Sequence, residues 1–241
     1  MILYVTSLCR SVRCLDLARE AFTELFVCSE QREQTWLACD AGNSAFTADN
    51  KGYVNHLDLR GFSSKGVLTA TSTWHLHDKK ISSVHVHPRE EHMLATASND
   101  GTVCMWDVRR LDAKSPKSTQ SLEFGRAVSS AFFSPCGGHL LTTSYDDTIR
   151  IYTVTSPTST DLWQSRTLRH NNQTGRWITK FRAVWGPRGE CFAVGHMGRQ
   201  VAYISFISVC LGIGNNFYFL FLGGFVCERS AQNGQSSACS L

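Results

Sequence analysis

One strand–turn–strand pattern recurs along the chain, and it limits the possible fold more than any other feature. Its clearest copy runs from Leu94 to Arg109. Small and β-branched residues alternate on both sides of Asn99-Asp100-Gly101, a triplet that tolerates positive φ or bonds its own backbone, so the segment predicts a β-hairpin closing on Trp106-Asp107. Phe46 to Arg60 repeats the pattern through a Lys51-Gly52 turn and ends on Leu57-Asp58-Leu59-Arg60. Leu140 to Thr155 repeats it through Asp146-Asp147 and reaches Tyr152. The position of Trp106 is also held by Leu15, Leu57, Tyr152 and Ile204, at intervals of 42, 49, 46 and 52 residues. Units that recur with this period bury their faces against their neighbours, because none can form a core alone.

Four short strands per forty- to fifty-residue unit is the arrangement of a β-propeller, and the chain resembles the WD-repeat superfamily at several positions. His77 stands where that superfamily has its Gly-His histidine, and Asp100 sits in the turn six residues before Trp106. Thr96 or Ser98 then completes a His-Ser/Thr-Asp-Trp network of His77, Asp100 and Trp106 that satisfies buried polar groups and performs no chemistry.

Length limits the number of units. A seven-bladed ring at this period needs roughly three hundred residues or more, and the chain has 241. It also opens inside a blade, since Val5-Thr6-Ser7 already matches the strand before a turn. The expectation is an all-β, incomplete WD-repeat β-propeller of about four blades over residues 1–205, followed by an aberrant apolar and low-complexity tail over 206–241. Inner strands are expected at Trp36–Cys39, Ile81–Pro88, Val128–Pro135 and Phe181–Pro187, with polar loops at Leu111–Gln120 and Ser156–Gln173.

The ten cysteines are scattered without a C-x-x-C pair, so reduced, structural thiols are expected. No basic n-region opens the chain, which favours cytoplasm or nucleus and leaves the sequon Asn172-Gln173-Thr174 unused. The uncharged stretch between Arg199 and Glu228 reaches membrane-span length. Its start also reads as an outer strand, however, and Asn215-Asn216 interrupts the rest, so no membrane partner is expected.

Two motifs bear on function. Trp106-Asp107-Val108-Arg109 resembles the WD-x-R box by which propellers dock on damage-specific DNA-binding protein 1, the adaptor of cullin 4 ubiquitin ligases. An arginine at a strand exit can offer its planar fork to carboxylates or carbonyls of a partner, and Leu57-Asp58-Leu59-Arg60 is a second copy. The other motif is Arg169-His170-Asn171-Asn172-Gln173-Thr174-Gly175-Arg176-Trp177, followed by Phe181-Arg182-Ala183-Val184-Trp185. It precedes an inner strand, which places it on the same rim as Lys79, Lys80 and Arg126. With Val84-His85-Val86-His87-Pro88 and Phe132-Phe133-Ser134-Pro135, it resembles the family of WD repeat-containing protein 76 and its fungal DNA damage-binding relative.

That resemblance implies a nuclear protein that binds damaged or modified DNA, associates with the ligase adaptor, and has room for other chromatin partners. It places Lys79, Lys80, Arg126, Arg169, His170, Asn171, Asn172, Gln173, Arg176 and Trp177 at DNA, and Trp106, Asp107 and Arg109 at the adaptor. A more distant relative, damage-specific DNA-binding protein 2, wedges an aromatic side chain from the corresponding loop into the minor groove. Here the loop carries amides and an imidazole, so phosphate contact by the cations is the expectation carried forward. The alternative is a protein-interaction scaffold that never touches DNA, which a net charge of +4 does not decide. His85 and His87 share a strand face without neighbouring ligands and are read as packed, with no metal, cofactor or catalysis expected.

Overall fold

The computed structural model describes residues 2–205 apart from 7–9, 17–19, 29, 31, 41–42, 62–66, 155–161, 176–177 and 198–199, so the expected tail over 206–241 lies outside the described residues. Five antiparallel sheets follow one another along the chain. The first holds β1 (Ile2–Thr6), β2 (Ser11–Asp16) and β3 (Ala21–Val27). The second holds β4 (Gln34–Cys39), β5 (Ser44–Asp49), β6 (Tyr53–Asp58) and β7 (Ser72–His75). The third holds β8 (Ile81–Val86), β9 (Met93–Ser98), β10 (Thr102–Asp107) and β11 (Gln120–Glu123). The fourth holds β12 (Val128–Phe133), β13 (His139–Ser144), β14 (Thr148–Val154) and β15 (Leu162–Arg169), and the fifth β16 (Val184–Trp185), β17 (Cys191–His196) and β18 (Gln200–Ser205). Among the described residues, three four-stranded blades thus stand between two three-stranded ones.

The five positions tracked through the sequence all fall in corresponding strands, and each faces the strand before it: Leu15 with Leu3, Leu57 with Ala45, Trp106 with Leu94, Tyr152 with Leu140, Ile204 with Phe192. Each pair of neighbouring blades encloses its own apolar cluster. Phe46, Trp74, Ile81, Leu94 and Trp106 fill the seam between the second and third blades. Met93, Val103, Phe133, Leu140 and Tyr152 fill the next. Alternate residues of β9 therefore enter opposite seams, Leu94 one and Met93 and Ala95 the other, and all six of its residues are buried. A strand covered on both faces reads as an unbroken run of small and apolar residues, which is why Met-Leu-Ala-Thr-Ala-Ser lacks a polar face.

Two stretches depart from expectation. Ser156–Gln173, read as loop, contains β15, which pairs with β14 from Thr148 opposite Arg169 to Val154 opposite Leu162. An outermost strand is covered on one side only, so polar residues such as Arg166 and Thr167 are tolerated and the alternation is weak. The inner strand expected over Phe181–Pro187 is reduced to Val184–Trp185. Its first residues bond the fourth blade instead: the Ala183 amide donates to Thr143 Oγ1 at 3.0 Å, and Phe181 O accepts from Ser129 Oγ at 2.8 Å.

The third blade carries the expected polar network, with Thr96 in the shared position. Trp106 Nε1 donates to Thr96 Oγ1 at 2.8 Å, His77 Nε2 lies 2.7 Å from the same oxygen, and His77 Nδ1 lies 2.9 Å from Asp100 Oδ2. A carboxylate only accepts, so the ring proton sits on Nδ1, the Thr96 hydroxyl donates to Nε2, and the bonds run in one direction from indole to carboxylate. Burial alone would raise the Asp100 carboxyl, but hydrogen bonds from His77 and Thr102 outweigh it and hold the group well below the usual carboxylate range. Ser98 instead donates to Lys79 O and Lys80 O. Close approach matters at Gly52, where φ is +87° and an added Cβ would lie 1.8 Å from His77 O.

Removing the Thr96 hydroxyl leaves a buried indole N–H and a buried imidazole nitrogen without partners. Thr96→Val is expected to destabilise the chain by about 2–3 kcal/mol, read as a fall in the urea midpoint. Histidines give a second expectation. Burial, helped by the neighbouring His87, pushes His85 down to about 4, and its Nδ1 accepts the Phe133 amide at 3.2 Å. His87 is also lowered by burial, and its Nδ1 accepts the Arg89 and Glu90 amides. Between about pH 6.5 and pH 4 the unfolded chain therefore binds protons that the folded chain does not, and stability falls as pH falls through that window. The urea midpoint should be lower at pH 5 than at pH 7.

Candidate nucleic-acid interface

In a four-stranded blade, the turn between the second and third strands and the connection into the next blade emerge at the same end. The structure ties them together. Asn99 N donates to Lys80 O at 2.9 Å, Phe124 N to Gly101 O at 2.8 Å, Tyr145 N to Ala127 O at 2.9 Å, and His170 N to Asp147 O at 3.1 Å. The Asn99-Asp100-Gly101 turn is thus flanked by the connection bearing Lys79 and Lys80 and by the one bearing Arg126. The next turn, Tyr145-Asp146-Asp147, supports the connection that follows Arg169.

Lys79, Arg126, Arg169, Asn171 and Gln173 are exposed, and Lys80 and His170 are half-buried. Arg169 closes β15 and does not lie in a loop. Arg176 and Trp177 lie outside the described residues. Asn172 faces inward and is 3% exposed. Its Nδ2 donates to Ser144 O at 2.8 Å and to Thr148 O at 3.1 Å, its Oδ1 lies 2.7 Å from His170 Nδ1, and its amide donates to Asp147 Oδ1 at 2.9 Å. Gln173 Nε2 donates to Tyr145 O at 2.6 Å. Asn172 therefore holds the loop on the turn, and the loop's outward polar surface comes from its neighbours.

The turn carboxylates are engaged within the fold. Asp100 is bound by His77 and Thr102, Asp146 by Thr148 and Arg150, and Asp147 by the Asn172 amide and Gln173. Among the described residues Lys79, Lys80, Arg126, Lys180 and Arg182 form no ion pair. The last two were not anticipated as site residues. Register carried the signal, since Lys180 stands directly before Phe181 as Lys80 stands directly before Ile81.

At the opposite end Asp107 caps a 3-10 turn, Val108–Arg110. Arg109 returns onto it as a fork, with Nε 3.0 Å from Oδ1 and Nη2 2.9 Å from Oδ2. Hydrogen bonding from Arg109, against a smaller opposing effect of burial, lowers the Asp107 carboxyl. Arg60 repeats the fork on Asp58 with the same two distances, 3.0 and 2.9 Å. Trp106, the third residue expected at an adaptor, is buried and bound to Thr96. Among the described residues no three His, Cys, Asp or Glu gather as metal ligands, and the cysteines at 28, 39, 104, 136 and 191 are free thiols.

Residues 68–107 and 117–153, which span much of the third and fourth blades, match the family described as WD domain, G-beta repeat. DNA damage-binding protein CMR1 of Phaeosphaeria nodorum is 34% identical over 221 residues, covering 83% of this chain and 41% of that protein. WD repeat-containing protein 76 of Xenopus laevis is 34% identical over 194 residues, covering 78% of this chain and 32% of that protein. The chain is a WD40 protein homologous to the CMR1 and WD repeat-containing protein 76 family. It spans about two fifths of the length of the fungal relatives it matches, 41% in the case given. A chain in a crystal structure of the mitotic checkpoint complex superposes with a TM-score of 0.67 at 16% identity, covering 86% of this chain and 58% of that one, a likeness of fold alone. No helix among the described residues of this WD40 homologue is long and apolar enough to cross a membrane.

Asn172→Ala removes three inward side-chain bonds. We expect a loss of about 1–3 kcal/mol and faster amide exchange in residues 145–147, measured by hydrogen exchange with mass spectrometry.

Proposed function

We propose that the chain is a DNA-binding, non-enzymatic WD40 module of the DNA damage response that works in the nucleus. One observation carries this reading: Lys79, Lys80, Arg126 and Lys180 gather around adjacent turns whose carboxylates are already bound within the fold. Such a surface neutralises backbone phosphates and releases their counterions, which gives binding that weakens steeply with salt. The relatives' name, DNA damage-binding protein, supports the choice of DNA over a protein ligand. Sequence reading by the loop has less support, because Asn172 is turned inward and the described loop residues offer no aromatic wedge.

A finer proposal is that the opposite rim docks the cullin 4 ligase through damage-specific DNA-binding protein 1. The twin forks support it. Asp107 holds the Arg109 guanidinium in one plane while 58% of the arginine side chain stays exposed, and Asp58 does the same for Arg60, so two adjacent blades present pre-ordered cations at their strand exits.

For the DNA reading, the triple change Lys79→Glu, Lys80→Glu and Arg126→Glu should abolish binding to labelled duplex DNA with little change in thermal unfolding. Unchanged affinity in a folded triple variant would overturn it. For the adaptor reading, Arg109→Ala should cut co-purification with the adaptor severalfold while sparing DNA affinity, and equal recovery would overturn that proposal.

A further inference from the structure

We propose that Lys180, with Lys80 and Arg182, forms a seat for one backbone phosphate of DNA at the centre of this rim, a site that deepens the DNA reading and rests on it. Lys180 leaves the connection into the fifth blade and reaches across the fourth to the third. Its Nζ lies 3.0 Å from Asn99 Oδ1 and 3.4 Å from Ser82 Oγ, and 5.4 Å from the centre of the Tyr145 ring. Two residues on, Arg182 donates from Nε to Ser129 O at 3.3 Å and stacks 4.7 Å over the Trp36 ring of the second blade. Among the described residues, every partner of these two cations is neutral. An ammonium has three donors and a guanidinium five, so hydrogen-bonding capacity remains for an added acceptor.

The charges that act on Lys180 are of its own sign. Burial lowers it first, and Lys80 and Arg182 lower it further, to about 8. Burial likewise lowers Arg182. The groups that face Lys180 from the surrounding elements are Lys80 from the connection before β8, Arg182 from its own segment, and Tyr145, Asn99 and Ser82 from the neighbouring blades. Half-buried like charges repel one another unless an anion neutralises them, and a phosphodiester carries the charge and the acceptor oxygens to do so. Seating one phosphate deep among the turns would also set the register of the duplex on the rim, while the exposed Lys79 and Arg126 add contacts around it.

Fluorescence anisotropy with a labelled duplex DNA tests the seat. Lys180→Gln should bind about tenfold more weakly, with the slope of log affinity against log salt reduced by about one. Wild-type affinity should fall from about pH 7 to about pH 9, because binding must then restore a proton to Lys180, whereas Lys180→Arg should bind well at both and lose that dependence. Thermal melts establish that each variant is folded. If the wild type shows no salt-dependent DNA binding, the DNA reading of the rim fails and the seat fails with it. If the wild type binds and Lys180→Gln matches it in affinity and slope, the seat alone is overturned. Saturable stabilisation by inorganic phosphate, lost in Lys180→Gln while DNA affinity is kept, would assign the seat to a free anion and overturn it for DNA.

Discussion

The Thr96 hydroxyl, held between the Trp106 indole and the His77 ring, is the interaction on which the third blade and its rim depend. Through His77 it reaches Asp100, so one line of buried bonds joins the middle strand, the third strand, the turn and the incoming connection. Each of these polar groups would be costly to bury alone, and as a completed chain they admit one arrangement. That arrangement places the backbone of residues 79 and 80 against Ser98 and Asn99. A clasp that satisfies buried groups thereby decides where the surface cations stand.

Neighbouring blades solve the same problem with other residues. In the second, Arg32 from the incoming connection donates to the fully buried Asp49 at 2.9 Å and stacks 4.2 Å from the centre of the Tyr53 ring. In the fourth, Asn172 and Gln173 from the outgoing connection grip Asp147 and the Tyr145 carbonyl. The recurring constraint is that a turn between two buried strands needs a polar partner from a blade-to-blade connection, and the residue type is free to vary. The turn carboxylates Asp49, Asp100, Asp146 and Asp147 meet this internal need, while Lys79, Lys80 and Arg126 are left without an ion pair among the described residues.

Much of this was legible in the sequence for a physical reason. Inner and middle strands are covered on both faces, so Met93–Ser98 and Val128–Phe133 carry continuous small and apolar runs, and the recurring hairpin, followed through the position of Trp106, revealed the blades. Outer strands are half solvated, and β15 was hidden within a polar segment. At the rim, Lys79, Lys80 and Arg126 were readable because connections between blades must surface there. Asn172 was misleading, since an amide in a polar loop gives no sign of whether it faces water or, as here, two backbone carbonyls and an imidazole. Lys180 and Arg182 were missed because their significance lies in reaching the third and second blades, contacts 81 and more residues away in the chain that no local pattern encodes.

The central claim is that the clasped turns and their connections form one DNA-facing surface. Hydrogen exchange with mass spectrometry, on the chain alone and with saturating duplex DNA, tests it most directly. The account predicts added protection across residues 78–81, 99–101, 124–127 and 179–183, with none at 107–111 or 134–138. Protection confined to the opposite rim, or none at 99–101 while DNA is bound, would contradict it.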